Sequence, residues 1–442
     1  MTAKKWTLTA LSALVLTACG GGDSSSDSGG NNGSSGGSSG GSSGGSAPQI
    51  TLNTVTSNWC GIEKPKAGVD VFVHNSTGEI IAEYVTDSNG GLTADWPSNA
   101  KHLTLTANNQ SYYNDLPTLT VISNVDVEAG DQGITYFWDD NDQAGCDCKY
   151  VEFPVQSLIA DAPDSRLYLG GSSYELTPFS SSPTVEWCDG AGTMDVQLIA
   201  ADGQSSLGGS IDLTNKTEYA LSLNDFTHEG VAVDYVNPYD ARILYALSFD
   251  GWRNYSQDDL VFVYPTLTNK SYVWPARYGQ EYIGNATADS YSSARHLVTA
   301  EGATSPIMLW DPANGYSDAV YALFNEISTG KAPYQYDFTG ISNVAMTHMT
   351  LSGDIDNGDA EWTIWGGASG SMPDLKLPTA LDAKFDSLYS ARLQIGVRGY
   401  GSEKPLSEWR KLLLERSVME DNEISVLDYE TNYMRLSFDL DQ

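Results

Sequence analysis

The alternation of apolar residues at every second position is the feature that most constrains how this chain folds. It is clearest on both sides of the turn sequence Asn-Ser-Thr-Gly at 75–78, at Val69, Val71, Val73, Ile80, Ala82 and Tyr84. A second turn sequence at 87–91 precedes Leu92. A two-residue period interrupted by Gly, Asn and Asp is typical of β-hairpins that bury one face. The pattern therefore predicts an all-β fold.

This stretch also carries a family resemblance. Segments 67–73, 78–82 and 86–92 resemble the carboxypeptidase regulatory-like, transthyretin-like β-sandwich family, although Leu92 stands where the family often has an aromatic residue. The resemblance implies a seven-stranded sandwich that is usually non-catalytic. It implies a stalk or binding module and no catalytic residue.

Extended segments continue along most of the chain at intervals of about 8–12 residues, which favours tandem antiparallel β-sandwiches. Strands are predicted at 102–106, 118–123, 134–138, 149–155, 166–169, 184–188, 194–200, 219–223, 241–248, 260–264, 344–351, 361–365, 392–398 and 433–438. One helix is predicted after Pro405, because Leu406, Trp409 and Leu413 share a helical face. A repeat of fixed period is missing, so propellers and solenoids are not favoured.

The N-terminus reads as an export signal with a lipid-attachment site. Lys4 and Lys5 precede the apolar run 6–16, which is shorter than the roughly 20 residues that span a bilayer. Leu-Thr-Ala at 16–18 then leads to Cys19 and Gly20. This segment resembles the bacterial lipoprotein signal family, which implies that Cys19 becomes the acylated first residue of the mature chain. A residue other than Asp after that cysteine implies sorting to the outer membrane.

The predicted organisation places a flexible tether between this signal and the folded body. Gly, Ser, Asn and Asp dominate the residues after Cys19, and such a stretch buries no apolar surface and stays a coil. The remaining length suits two or three domains of about 100–200 residues. We predict a signal peptide at 1–18, the lipidated cysteine and linker at 19–48, the carboxypeptidase regulatory-like sandwich at 49–148, a second β-domain at 149–225 and a C-terminal β-rich domain at 226–442.

The net charge of the chain limits the classes of partner that we expect it to bind. The formal net charge is −34, and nucleic acid is not an expected partner because its binding depends on Lys and Arg that neutralise phosphates. Such acidity favours solubility and salt tolerance. Beyond the signal, no stretch is apolar over the roughly 18 residues that a membrane helix requires. The expected contact with a membrane is therefore the lipid anchor.

Four cysteines remain besides Cys19: Cys60, Cys146, Cys148 and Cys188. An even number in an exported protein indicates two disulfides. A bond between Cys146 and Cys148 would close a strained ring, so we expect each of these two to pair with either Cys60 or Cys188. A four-thiolate zinc site is the alternative, although a second closely spaced pair is missing.

Two acidic loops are candidate calcium sites. The first offers five oxygen-bearing side chains within nine residues, Asp139, Asp140, Asn141, Asp142 and Asp147. The second, at 354–361, begins like an EF-hand loop, but its glycine lies at position 5 and position 12 is not Glu. Polar turns are the alternative at both loops. We expect no cofactor other than calcium.

Aromatic residues are the candidate ligand-binding groups. The chain has 11 Trp and 25 Tyr, whose flat faces suit stacking against sugar rings. The candidate glycan-binding residues are Trp252, Trp310, Trp362 and Trp365. Because aromatic residues also form strands and fill cores, core packing is the alternative role for each.

Catalytic motifs are scarce. The five histidines form no His-Glu-x-x-His motif, and the segment 367–371 departs from a Gly-x-Ser-x-Gly elbow at its last position. We therefore predict a non-catalytic lipoprotein of the outer membrane that acts in surface binding, adhesion or envelope structure, with a polysaccharide or an envelope protein as partner. The alternatives are a carbohydrate-active enzyme or glycan-binding lipoprotein with an accessory β-sandwich, and a calcium-stabilised structural protein. The sequence leaves the periplasmic and cell-surface sides open.

Lipidation at Cys19 can be tested directly. Radiolabelled palmitate is expected to enter the full-length chain, which should fractionate with membranes because each buried CH₂ of an acyl chain contributes about 0.8 kcal/mol. The Cys19→Ala variant, as matched control, should incorporate no label. An unlabelled wild-type chain, or its full recovery from the culture supernatant, would show that the anchor is wrong.

Overall fold

A computed structural model describes the protein at residues 48–58, 62–110, 117–138, 146–188, 192–233, 235–236, 243–248, 251–255, 260–264, 266–267, 271–283, 286–294, 296–298, 307–308, 316–330, 332–341, 344–400 and 430–440. Cys19, Cys60, Asp139, Asp140, Asn141, Asp142, Trp310 and the helix predicted after Pro405 lie outside these residues. In the part that is described, no helix combines the length and the apolar character needed to cross a bilayer.

Strands dominate the structure and confirm the predicted all-β fold. They are β1 (Gln49–Ser57), β2 (Glu63–Pro65), β3 (Asp70–Asn75), β4 (Ile80–Val85), β5 (Gly91–Asp95), β6 (Ala100–Gln110), β7 (Pro117–Asn124), β8 (Gly130–Trp138), β9 (Lys149–Glu152), β10 (Arg166–Leu169), β11 (Ser172–Glu175), β12 (Thr184–Trp187), β13 (Thr193–Ile199), β14 (Ser206–Asp212), β15 (His228–Glu229), β16 (Val231–Val233), β17 (Tyr235–Val236), β18 (Ile243–Ser248), β19 (Gly251–Tyr255), β20 (Val261–Val263), β21 (Ser271–Ile283), β22 (Ala286–Ala294), β23 (His296–Val298), β24 (Ile307–Met308), β25 (Tyr334–Asp337), β26 (Val344–Ile355), β27 (Gly358–Gly367), β28 (Ser369–Met372), β29 (Tyr389–Tyr400) and β30 (Glu430–Asp439). The helices are α1 (Gln156–Asp161), α2 (Tyr316–Thr329) and α3 (Thr379–Asp386).

The two predicted turns have different roles. The turn at 75–78 joins β3 and β4 into an antiparallel hairpin. The turn at 87–90 is closed by the Asp87 carboxylate, whose Oδ1 accepts hydrogen bonds from the backbone N–H groups of Asn89 and Gly91. The strand that follows, β5, pairs with β1. This second turn therefore carries the chain from one sheet to another.

Two sheets pack face to face in the N-terminal part. The larger has thirteen described strands in the order β19-β18-β21-β22-β30-β29-β26-β27-β7-β6-β3-β4, with β23 paired to β21. The smaller has the order β2-β1-β5, with β8 paired to β1. Their shared apolar cluster includes Ile50, Val71, Leu105 and Phe137. Alternation along each strand brings these residues into one core.

The parallel ladder between β7 and β27 joins distant parts of the chain. It runs from the Thr118–Asp359 pair to the Asn124–Trp365 pair. Strands from the predicted segments 49–148 and 226–442 therefore belong to one sheet. Most ladders are antiparallel, as the hairpin pattern predicts, but β7–β27, β1–β8 and β17–β24 are parallel. The domain boundaries themselves stay predictions.

Helix α2 covers one face of the larger sheet. Val320, Leu323 and Ile327 belong to the same buried cluster as Ile395 and Leu436. Residues at positions i, i+3 and i+7 of a helix share a face, which explains why these three meet the sheet together. The sequence analysis did not predict this helix.

Residues 149–229 form a five-stranded sheet in the order β11-β10-β13-β14-β15 and a two-stranded sheet of β9 and β12. Both sheets share a buried cluster with α1. The strand predicted at 219–223 is wrong. The Asp225 carboxylate accepts hydrogen bonds from the Ser222 N–H at 2.8 Å and the Tyr219 hydroxyl at 2.7 Å. These bonds turn the chain into a short 3-10 helix at Leu223–Asp225.

A buried chain of hydrogen bonds crosses the β7–β27 ladder. Trp362 Nε1 donates to Ser123 Oγ at 2.9 Å, and the hydroxyls of Ser123 and Thr104 are 2.8 Å apart. His74 Nε2 lies 2.9 Å from Thr104 Oγ1, and its Nδ1 lies 3.0 Å from the Gly78 carbonyl oxygen. The carbonyl is an acceptor, so Nδ1 carries the proton and Nε2 accepts from Thr104. Every donor in this series of hydrogen bonds then has one acceptor.

His74 makes stability depend on pH. Burial lowers the pKa of His74 to about 4, so between pH 6.5 and pH 4 the unfolded chain binds a proton that the folded chain does not. The free energy of unfolding should fall by about 3 kcal/mol from this residue as pH drops from 7 to 4.

Chemical denaturation of the His74→Gln variant at these two pH values should show a correspondingly smaller fall. The Thr104→Val variant is the matched control, because it breaks the same chain of hydrogen bonds and keeps the titrating ring. Equal pH dependence in wild type and His74→Gln would contradict this assignment.

Candidate functional site

The register of the larger sheet aligns a row of ring-bearing and charged residues across six strands. Tyr278 pairs with Tyr291, Tyr291 with Arg435, and Arg435 with Gly396. Gly396 pairs with His348, and His348 with Trp365. With strands about 4.8 Å apart, this row spans about 24 Å. Alternation places it on the face opposite the apolar cluster that packs against α2.

The rings in this row contact one another. The ring centroids of Tyr278 and Tyr291 are 4.8 Å apart, and those of Tyr291 and Tyr433 are 5.7 Å apart. His348 lies 5.8 Å from Tyr433 and 4.9 Å from Trp365. The five side chains form one continuous ladder of rings.

Two arginines complete the arrangement. The Arg398 guanidinium lies 4.7 Å from the Tyr433 ring centroid and 5.7 Å from that of Trp365. The Arg435 guanidinium lies 5.7 Å from the Tyr291 centroid. Cations over aromatic rings at such distances are attracted by the ring quadrupole. We name this surface the aromatic–arginine face, and it consists of Tyr278, Tyr282, Tyr291, His348, Trp365, Arg398, Tyr433 and Arg435.

The glycine at 396 is required by the position of His348. A Cβ atom at Gly396 would lie 2.1 Å from His348 Cε1 and 2.6 Å from Nε2. The imidazole therefore lies directly over the backbone of β29. Because glycine leaves this space open, the ring can reach between Trp365 and Tyr433.

The strand β21 carries the exposed end of the face. Tyr278 and Tyr282 are 39% and 82% exposed, and both lie on the same side of the strand as Gln280. Gln280 Nε2 donates to Asp289 Oδ1 at 3.2 Å. Two accessible rings thus flank an amide and a carboxylate, which can hydrogen-bond to a polar ligand.

His348 is neutral within this face. Its residue is only 6% exposed, and burial, followed by the charges of Arg398 and Arg435, lowers its pKa to about 3. Its Nδ1 atom has no hydrogen-bond partner among the described residues. The ring is therefore uncharged at neutral pH, and the local charge comes from the two arginines.

The structure describes the side chains of two predicted tryptophans, Trp362 and Trp365, and they point to opposite faces of the sheet. Trp365 belongs to the aromatic–arginine face. Trp362, three residues away, points to the opposite face and lines a cavity of about 50 Å³ beside Phe385 of α3. Trp252 lies in β19. Of the two candidates whose side chains the structure describes, Trp365 is part of the ladder and Trp362 is not.

Sequence reasoning missed most of the face. Its other ring-bearing residues are separated by up to 155 positions along the chain, from Tyr278 to Tyr433. The alternation of Tyr278, Gln280 and Tyr282 was a usable signal, since it places three polar or aromatic residues on one side of a strand. The strand pairing that brings these residues into one row with Trp365 is long-range, and no local sequence pattern indicates it.

The cysteines and acidic loops occupy other parts of the structure. Cys148 and Cys188 form a disulfide, which is one of the pairings that the sequence left open and uses two of the four thiolates that zinc would need. Cys146 is disulfide-bonded as well, and Asn58 Nδ2 lies 3.3 Å from its Sγ. Asp147 is exposed between them. The loop at 354–359 forms the hairpin turn between β26 and β27.

Comparisons with known protein families and curated proteins found no match. No protein-family model matches the chain, and no similar sequence is found among curated proteins.

The disulfide pattern can be checked by peptide mapping without reduction. We expect one linked peptide pair containing Cys148 and Cys188 and a second containing Cys60 and Cys146. The double variant Cys148→Ser/Cys188→Ser should lose about 4 kcal/mol of unfolding free energy in the chain-entropy model, because the bond spans 40 residues. A peptide that links Cys60 to Cys148 or to Cys188 would contradict this pattern.

Proposed function

We propose that this protein is a non-catalytic, lipid-anchored protein of the outer membrane whose aromatic–arginine face binds a polysaccharide. The observation that carries the proposal is the exposed end of the ring ladder, where Tyr278 and Tyr282 are 39% and 82% exposed. Sugar rings present apolar C–H faces, and a linear polymer can lie along a row of aromatic side chains. Gln280 and Asp289 at the exposed end add partners for sugar hydroxyls.

The N-terminal sequence supports the location. A flexible linker after a lipidated Cys19 would hold the folded body away from the membrane and leave its sheet face accessible to a long polymer. The resemblance of 67–92 to carboxypeptidase regulatory-like modules, which are usually non-catalytic, agrees with a binding role.

The charged groups around the rings favour binding over hydrolysis. Glycoside hydrolysis uses a pair of carboxylates on either side of the scissile bond. Among the described residues, Arg398 and Arg435 stack on the rings, and the Asp289 carboxylate lies beside Gln280 at the exposed end. We therefore propose recognition of the intact polymer.

Substitution of the exposed rings tests this function. Full-length protein in mild detergent is first applied to an array of neutral and anionic polysaccharides, and its affinity for the best ligand is then measured by calorimetry. Tyr278→Ala and Tyr282→Ala should each weaken binding about tenfold, the equivalent of about 1.4 kcal/mol, because each removes one stacking surface.

The matched control is Tyr150→Ala, which removes a tyrosine that is 65% exposed on β9, outside the face. Its affinity should equal that of the wild type. Equal loss in all three variants, or no binding to any polysaccharide, would overturn the proposal. Turnover of a bound polysaccharide would replace it with the enzyme alternative.

A further inference from the structure

The most exposed part of the aromatic–arginine face runs along β21. Tyr278 and Tyr282 lie on the same side of this strand and are 39% and 82% exposed. At about 3.3 Å per residue, their Cα atoms are about 13 Å apart. Farther along the row across the strands, His348 is buried and Tyr433 is half-buried. A polymer that stacks on accessible rings therefore follows β21 and does not cross the strands.

An amide and a carboxylate lie between the two exposed rings. Gln280 is the residue midway between Tyr278 and Tyr282, and Asp289 pairs with it across β21 and β22. Both are exposed, and Gln280 Nε2 donates to Asp289 Oδ1 at 3.2 Å. This hydrogen bond leaves Gln280 Oε1 and Asp289 Oδ2 as acceptors that receive no hydrogen bond from the described residues. A ligand that spans the two rings therefore passes over a pair of acceptors.

These acceptors define which groups the ligand must supply. An ionised carboxylate and an amide oxygen accept hydrogen bonds and do not donate them. Adjacent free hydroxyls of a sugar ring offer two neighbouring O–H donors, whereas ethers or esters at the same positions offer none. Hydrogen bonds to a charged acceptor are about twice as strong as those between neutral groups. The arrangement therefore selects sugars whose adjacent hydroxyls are unsubstituted.

The charges near this pair do not favour a charged polymer. Asp289 pairs with Ser437 across β22 and β30, which makes Arg435 its diagonal neighbour at about 7–8 Å. Farther along β30, Asp439 Oδ1 accepts a hydrogen bond from Arg392 Nε at 3.0 Å. Among the described residues, charges of both signs thus lie close together here. Recognition at this place therefore rests on hydrogen bonds and stacking and not on a net charge.

We propose that this part of the face binds a neutral polysaccharide along β21, with Tyr278 and Tyr282 stacking on its sugar rings. Asp289 and Gln280 are the specificity-determining residues, because they accept hydrogen bonds from two adjacent hydroxyls of a sugar that lies between the tyrosines. This inference rests on the proposed glycan-binding function, to which it adds the orientation of the polymer and the class of sugar that is recognised.

Polymers with free and blocked hydroxyls test the class of sugar. Affinities of the full-length protein in mild detergent are measured by calorimetry for xylan and for galactomannan, each against its O-methylated derivative. The free polymer of at least one pair should bind about tenfold more tightly, because methylation removes the O–H donors. Stacking on the tyrosines does not need these hydrogens and should leave measurable binding to the derivative.

Variants of the two acceptor residues assign the selectivity. Asp289→Ala and Gln280→Ala should each lower the ratio of free to methylated affinity about fivefold and leave the affinity for the methylated polymer unchanged. Asp289→Asn keeps one acceptor oxygen and should retain part of the ratio, so it serves if Asp289→Ala does not fold. The matched control is Asp161→Ala, which removes an exposed aspartate at the end of α1 and should keep the wild-type ratio.

Oligosaccharides of increasing length test the orientation. Affinity for xylo-oligosaccharides and manno-oligosaccharides should rise with length until the ligand spans the roughly 13 Å between Tyr278 and Tyr282, and should then level off. In the Tyr282→Ala variant the rise should end at a shorter ligand. An affinity that keeps rising up to the roughly 24 Å length of the row across the strands would contradict the orientation along β21.

The outcomes separate this inference from the proposed function. Equal affinity for free and methylated polymers would overturn the recognition of hydroxyls and leave glycan binding intact. A ratio that survives in the Asp289 and Gln280 variants would overturn the assignment to these residues. Binding to neither xylan nor galactomannan would overturn this inference, and failure on the whole polysaccharide array would overturn the proposed function as well.

Discussion

The parallel pairing of β7 with β27 is the interaction on which the rest of the structure depends. It joins the strands that follow the first hairpins to those of the C-terminal part, so that both share one sheet. Backbone bonds alone leave a parallel ladder slightly weaker per residue than an antiparallel one. The hydrogen bonds from Trp362 through Ser123 and Thr104 to His74 add side-chain contacts across the β7–β27 ladder. Because these groups are buried, loss of one partner leaves others unsatisfied, which costs about 1–3 kcal/mol.

The sheet that results has two different faces, and the two-residue period of its strands explains both. On β29 and β30, Ile395 and Leu436 point into the cluster that packs against α2, while Arg398 and Arg435 point to the other side. Residues two positions apart in a strand lie on the same face of the sheet, whereas residues three positions apart lie on opposite faces. Trp362 and Trp365 therefore point to opposite faces. Trp362 hydrogen-bonds across the β7–β27 pairing, and Trp365 belongs to the ladder of rings.

The sequence predicted the elements far better than their arrangement. Strands such as β10, β12 and β26 were predictable because alternation and turn residues are local signals. The ladder between β7 and β27 was not, because the pairing of Thr118 with Asp359 has no local signature. Helix α2 carries Val320, Leu323 and Ile327 at helical spacing. This local signal was present in the sequence, but the helix was not predicted. The candidate site combines residues from six strands, so only Trp365 was identified.

The geometry of the candidate site follows from a residue with no side chain. Gly396 leaves room for the imidazole of His348 to lie over β29, where any Cβ atom would collide with it. The imidazole then fills the space between Trp365 and Tyr433, and these two rings in turn position the Arg398 guanidinium. Burial and the neighbouring guanidinium charges keep the ring neutral, as its pKa of about 3 indicates. A charged imidazole there would repel the arginines. Packing against these two rings thus fixes the conformation of the Arg398 side chain.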